Sequence, residues 1–259
     1  MSNKVKKAII SISDKSEIKL VLNTLEKYKI NILSSGGTSK EINKLGFKFT
    51  DISEYTKTDE ILNGRVKTLH PKLYAGILSK RDNKKHKKEL KKNNYEEIDL
   101  VIVNFYPFEE TLKSTKNHNK LIENIDIGGP TLVRAAAKNY KYTTVLTSPN
   151  QYKEFILDLE KNKGSTSLEL RKKLSREAFN LTAYYDSVIS EYLNNISNDY
   201  FPQKKTIHGN LVEVLRYGEN PHQKSAIYSK NKDLDILQLS GKKLSYNNYN
   251  DIYAALNIS

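Results

Sequence analysis

The chain has 259 residues, of which 37% are hydrophobic and 28% charged, with a formal net charge of +13 and no cysteine. Such a length holds one to two domains with a proper core, and the missing thiol excludes disulfides, thiolate metal sites and a cysteine nucleophile. No run of ~18 apolar residues is present to form a transmembrane helix, and the lysines, as in Lys80 to Lys88, are scattered without the aromatic interleaving of an RNA-binding surface.

An anionic small molecule is therefore the expected use of the positive charge, with no nucleic acid and no membrane as partner. Met1 to Lys7 leads into Ala8-Ile9-Ile10, too short for a signal-peptide core, so a cytoplasmic location is expected. Lys4 to Ile12 reads as a buried strand. A helix follows to about Tyr28, with Ile18, Val21, Leu22 and Leu25 at helical spacing and Asp14 and Glu17 as a capping pair. Ile30 to Leu33 is a second strand. Ser35-Gly36-Gly37-Thr38 then opens a short helix, with Thr38 and Glu41 as a second capping pair. Strand, helix, strand, glycine turn, helix is the beginning of an α/β parallel sheet. Its glycines free backbone N–H groups at a helix N-terminus, which suits a phosphate. Ser11, Ser13 and Lys15 leave the neighbouring strand where they can converge on that anion, since ligands bind outside the carboxyl ends of parallel strands.

Phe47 to Ile52 is a third strand. Gly64-Arg65-Val66-Lys67-Thr68-Leu69-His70-Pro71 has neither helical nor alternating spacing and reads as a loop. It packs two cations, a hydroxyl and an imidazole together, the makings of an anion-binding or catalytic segment. A helix is expected over Lys72 to Leu78. Ile98 to Val103 is the clearest buried strand, and it exits into Asn104-Phe105-Tyr106-Pro107-Phe108. Asp126-Ile127-Gly128-Gly129-Pro130 leads into a helix to about Asn139. Its glycines leave backbone N–H groups free for an oxyanion, and Thr131, Arg134 and Lys138 share one face. Tyr142 to Leu146 reads as a strand and Tyr152 to Glu160 as a helix. Ser167 to Asn194 is apolar at helical spacing, a helix of ~42 Å at 1.5 Å per residue, long enough for part of it to pack on a second subunit. Phe201 to Lys205 is a polar linker, and Leu211 to Tyr217 and Ala226 to Tyr228 read as strands of a new unit. The five histidines show no metal-ligand spacing.

These motifs, in this order, resemble the N-terminal part of the bifunctional purine-biosynthesis family that joins phosphoribosylaminoimidazolecarboxamide formyltransferase to inosine monophosphate (IMP) cyclohydrolase. The resemblance rests on Ser11 to Lys15, Ser35 to Thr38, Gly64 to Pro71, Asn104 to Phe108, Ile125 to Pro130, Arg134 to Asn139 and Leu215 to Gln223. It implies a methylglyoxal-synthase-like parallel sheet flanked by helices over residues 1–200. A truncated start of the formyltransferase domain, a stub of a second α/β domain, follows over 201–259. It implies closure of the purine ring of 5-formamidoimidazole-4-carboxamide ribonucleotide, by a homodimer, with no metal and no cofactor. 10-Formyltetrahydrofolate would serve only the formyltransferase half, whose downstream catalytic pair has no counterpart here.

The resemblance also implies roles. Lys67, Tyr106, Asp126 and Lys138 would be catalytic. Ser11, Ser13, Lys15, Ser35, Gly36, Gly37, Thr38, Arg65, Thr68, Asn104, Ile127 and Gly128 would bind the substrate, with Asn104 on the heterocycle. Arg216 and Tyr217 would bind the formyltransferase substrate. Two other functions fit the same fold. A methylglyoxal-synthase-like lyase would use an acidic general base in place of Lys67 and Tyr106. A non-catalytic nucleotide-binding regulatory module would not need Lys67, Tyr106, Asp126 and Lys138 together.

Overall fold

In the computed structural model, residues 3–230, 234 and 236–258 are described. The chain forms two compact units, Met1–Tyr185 and Asp186–Ser259. The division falls inside the long helix Leu168–Ile196.

The first unit is built on a five-stranded parallel sheet. A short β1 (Asn3–Lys4) precedes β2 (Lys7–Ile12), then α1 (Ile18–Lys27), β3 (Asn31–Ser34) and α2 (Gly36–Lys44). β4 (Thr50–Asp51) and α3 (Ile52–Thr56) follow, then the Gly64 to Pro71 loop, α4 (Pro71–Leu78) and α5 (Lys84–Lys92). Next come β5 (Leu100–Asn104), α6 (Phe108–Ser114), α7 (His118–Glu123), α8 (Gly128–Lys138), β6 (Thr144–Leu146), α9 (Tyr152–Lys161), β7 (Ser165–Thr166) and the long α10 (Leu168–Ile196). The sheet order is β4-β3-β2-β5-β6, and β1 pairs antiparallel with β7 outside it. The sheet grows outward from β2 to β3 and β4, then returns to place β5 on the other side of β2. That reversal puts a crevice between the carboxyl ends of β2 and β5, where open α/β sheets bind ligands.

Helices on both faces make the central strands continuously apolar. Ala8, Ile9, Ile10, Leu100, Val101 and Ile102 are all buried. β4 is shorter than the expected Phe47 to Ile52 because Asp51 caps a helix at once: its Oδ1 accepts the Ser53 N–H at 2.9 Å. Phe47 and Phe49 pack on the core instead. Neither expected capping pair forms. α1 starts from Glu17 in a left-handed conformation, and Asp14 accepts the Ser16 N–H at 2.8 Å. α2 starts at Gly36, so Thr38 lies inside it. The lysine run forms α5, capped by Asn83, with Leu90 its buried residue and the lysines in solvent.

In the second unit, β8 (Asn210–Val214) and β9 (Ala226–Ser229) make an antiparallel pair with an irregularity between Leu211 and Glu213. A helix the sequence reading did not expect, α11 (Tyr246–Ile258), follows. Tyr249 on α11 donates to Glu213 on β8 at 3.0 Å. Among the described residues no helix is long and apolar enough to cross a membrane.

Candidate active site

At the crevice, Asn104 leaves β5 and spends its carboxamide on the β2 exit. Its Oδ1 accepts the Ser13 and Asp14 N–H groups at 2.6 and 2.9 Å, and its Nδ2 donates to the Asp14 carbonyl at 2.9 Å. Most of the Asn104 hydrogen-bonding capacity thus holds the turn. Thr38 acts in the same way. Its buried Oγ1 accepts the Ile12 N–H at 2.9 Å and donates to the Ile12 carbonyl at 3.0 Å. Its hydroxyl proton is thus used to pin α2 against β2, and only its backbone N–H is left to face an anion.

The start of α2 is open. Ser35, its N-cap, is extended and makes no side-chain cap, and its Oγ is buried without a partner among the described residues. A buried hydroxyl without a partner costs roughly 1–3 kcal/mol, so this site suits an occupant that accepts a hydrogen bond. Lys15 reaches back to the Ser13 carbonyl at 3.3 Å. Ser11 lies one residue inside β2, on the face opposite the buried Ile10 and Ile12.

The central loop folds over this cradle. Leu62, Asn63 and Gly64 all take positive φ, and an Ile61–Val66 bridge closes the turn. His70 caps α4 through its Nδ1, which accepts the Lys72 N–H at 3.1 Å, with Pro71 at the first helical position. The turn aims Lys67 at α2: its Nζ lies 3.3 Å from where a Cβ on Gly36 would stand. The buried Thr68 Oγ1 lies 2.6 Å from the corresponding point on Gly128. Arg65 points elsewhere and pairs with the exposed Glu123 on α7.

Asp126 sits beside the start of α8, with Oδ1 accepting the Gly129 N–H at 2.8 Å. Burial raises its pKa above the usual carboxylate range; the Gly129 and Tyr106 backbone N–H groups and the nearby Lys67 charge pull the other way. Tyr106 leaves 43% of its surface in solvent, and Ile127 57%. Lys138 does not join this group within the chain. It is the last residue of the helix that Gly128 begins, about 15 Å along the axis at 1.5 Å per residue. Shared helical face does not mean shared end.

Two tyrosines were not among the site residues expected from the sequence. Tyr74 on α4 shares a 2.7 Å hydrogen bond with Thr131, and burial raises its pKa, with the Asp126 charge adding to the rise. Tyr185 on α10 accepts the Asp126 N–H at 2.9 Å. Neither stands in a motif; Tyr185 was read only as one of the apolar positions of its helix, and Tyr74 lies in a helix expected without any role for its side chains. Arg216 and Tyr217 lie in the second unit, where the guanidinium stands 5.5 Å from the tyrosine ring centroid.

The fold and this site define a protein with a methylglyoxal-synthase-like (MGS-like) domain, and the MGS-like domain model matches residues 15–131. A model described as the AICARFT/IMPCHase bienzyme matches residues 136–259. The chain is 44% identical over 98% of its length to the bifunctional purine biosynthesis proteins PurH of Persephonella marina and Listeria monocytogenes, covering 50% and 51% of those sequences. It therefore belongs to the bifunctional PurH family of purine biosynthesis, and spans about half the length of the curated relatives it matches. Among solved structures it is similar to ForH, with a TM-score of 0.65 and 27% identity over 73% of this chain and 99% of that one.

Proposed function

We propose that the chain is an IMP cyclohydrolase, which closes the purine ring of 5-formamidoimidazole-4-carboxamide ribonucleotide with loss of water. The observation that carries this reading is the contact between distant motifs: the Lys67 ammonium stands against Gly36 of the anion cradle and its charge acts on Asp126. In the reaction the carboxamide nitrogen attacks the formyl carbon. A C–N bond forms, and the formyl oxygen leaves as water with one proton from the carboxamide and one from the formamido nitrogen. Neither a metal nor a redox cofactor is needed for that balance.

The α2 N-terminus, with Ser35, Gly36, Gly37 and the Thr38 N–H, would hold the phosphate, with Ser11, Ser13 and Lys15 beside it and Arg65 released from an exposed pair worth little in water. Lys67 and Thr68 would line the ring end. Asp126 is suited to exchange protons because burial raises its pKa, with Tyr74 near it and the Tyr106 phenol as the other proton carrier. The Gly128 and Gly129 segment would face the formyl oxygen. Holding the two side groups coplanar supplies much of the rate, since orientation in intramolecular reactions is worth roughly 7–11 kcal/mol. Lys138 has no part in this set within one chain.

A cytoplasmic homodimer is part of the same proposal. Transfer of a formyl group from 10-formyltetrahydrofolate is not proposed for this chain; Arg216 and Tyr217 are assigned to that substrate only through family resemblance. An ultraviolet assay of formamido-nucleotide conversion to IMP, run with and without the folate, tests the proposal. Turnover independent of folate is expected. Nucleotide binding without turnover would instead favour a regulatory binding module.

A further inference from the structure

Tyr185 lies on α10, far in sequence from every motif of the site, and touches the two segments that carry its acid and its phenol. Its hydroxyl accepts the Asp126 N–H at 2.9 Å and donates to the Asn124 carbonyl at 3.3 Å. Its ring meets Phe105 edge-on, with centroids 5.0 Å apart, and Phe108 at 6.4 Å. Phe105 and Phe108 flank Tyr106 and Pro107 on the β5 exit. The residue is 8% exposed. One side chain therefore fixes both the turn that presents Asp126 and the segment that presents Tyr106. A phenylalanine would satisfy the packing equally well, so the hydroxyl answers to the turn, not to the core. The neighbouring Tyr184 fastens α10 to α6 through Glu109 at 3.0 Å, which keeps this stretch of the helix in register with the site.

We infer that Tyr185 is a positioning residue for the ring closure, setting the spacing between the Asp126 carboxyl and the Tyr106 segment while touching no substrate itself. The inference rests on the cyclohydrolase reading above. Asp126 is a useful reporter of it. The groups that act on its carboxyl are the Gly129 N–H on α8, the Tyr106 backbone at the β5 exit and the Lys67 charge on the central loop, and its own charge acts on Tyr74 of α4.

The test is Tyr185→Phe in the full chain, with Tyr185→Leu as the variant that also removes the ring. Three quantities are measured: kcat and KM for ring closure, the pH profile of kcat, and the carboxyl 13C titration of Asp126, assigned with Asp126→Asn. A freed turn admits water to the carboxyl. Tyr185→Phe is thus expected to lower kcat at least about tenfold, the scale of a small misplacement of reacting groups, with KM within about twofold. The Asp126 midpoint should move down toward the ordinary carboxylate value, and the acid limb of the kcat profile should move with it. Tyr185→Leu is expected to show the same direction with a larger loss. If wild-type chain turns over and Tyr185→Phe keeps its kcat, pH profile and Asp126 midpoint, the inference is wrong. If Tyr185→Phe lowers activity only in proportion to folded protein, leaving the midpoint unmoved, the residue is merely structural and the inference is also wrong. If wild-type chain shows no turnover, the cyclohydrolase reading fails and the reaction role falls with it. The Asp126 midpoint still decides separately whether Tyr185 holds the turn.

Discussion

Lys67 brings its ammonium to Gly36 at the start of α2, and its neighbours explain what its loss would do. The side chain is half-buried against Gly36. Lys67→Ala is expected to abolish ring closure, by at least about 100-fold in kcat, the low end of acid–base contributions. An unchanged circular dichroism spectrum and melting temperature would show that the fold survives. Asp126 carries the opposite signature. Its folded pKa is raised, so the folded state binds more protons than the unfolded chain above the ordinary value of about 3.9. Stability is then lost as pH rises from that value through the raised folded one. Asp126→Asn removes this penalty and keeps an acceptor for the Gly129 N–H. Its melting temperature relative to wild type should rise from pH 4 to pH 7 while turnover disappears; a relative fall over that range would show that burial does not govern this carboxyl.

At the scale of elements, the site depends on how strand exits are fastened to helix starts. Thr38 makes both hydrogen bonds to Ile12. Thr38→Val keeps the shape and orphans a buried backbone N–H and carbonyl, at a cost of about 1–3 kcal/mol, which denaturant unfolding would read directly. Gly36 sits at φ +59, and a Cβ there would stand 3.3 Å from the Lys67 ammonium. Gly36→Ala adds left-handed strain of about 1–2 kcal/mol and pushes back the Lys67 ammonium proposed to act in ring closure. It should therefore raise KM and lower kcat together, whereas Thr38→Val should act first on stability. The sequence placed these elements well, because buried strands and amphipathic helices announce themselves by periodicity. It misread their ends, because Asp14, Thr38 and Glu17 look like caps by spacing while their actual partners lie one or two residues away or on another strand.

Across the whole first unit, the largest fully buried side chain is Arg171. It donates to the Thr166 carbonyl and hydroxyl, to the Tyr140 carbonyl at 2.8 Å and to the Lys141 carbonyl at 3.1 Å, joining α10 to β7 and to the chain before β6. Arg171→Leu would orphan several buried acceptors and should destabilise the unit by about 3 kcal/mol or more, seen as a lowered urea midpoint. The charge of +13 acts at the same scale. The second unit exposes Ile207, Leu211, Val214, Tyr228, Leu237 and Leu239, and apolar surface of this kind favours association. Mutual repulsion opposes it at low salt and is screened over about 3 Å in 1 M salt. Light scattering should therefore rise with sodium chloride; scattering that stays flat would mean this surface is not adhesive.

Sequence alone determined the parallel α/β architecture, the glycine turn at the start of α2, the irregular Gly64 to Pro71 loop and the family, because each is a local pattern of residue types. Tertiary structure alone decided that Asn104 and Thr38 hold turns, that Arg65 turns to Glu123, that Lys138 stands at the far end of α8, and that Tyr74 and Tyr185 belong beside Asp126. Those outcomes depend on which strand exits meet which helix starts. The order β4-β3-β2-β5-β6 brings those ends together across long stretches of chain that no local spacing can measure.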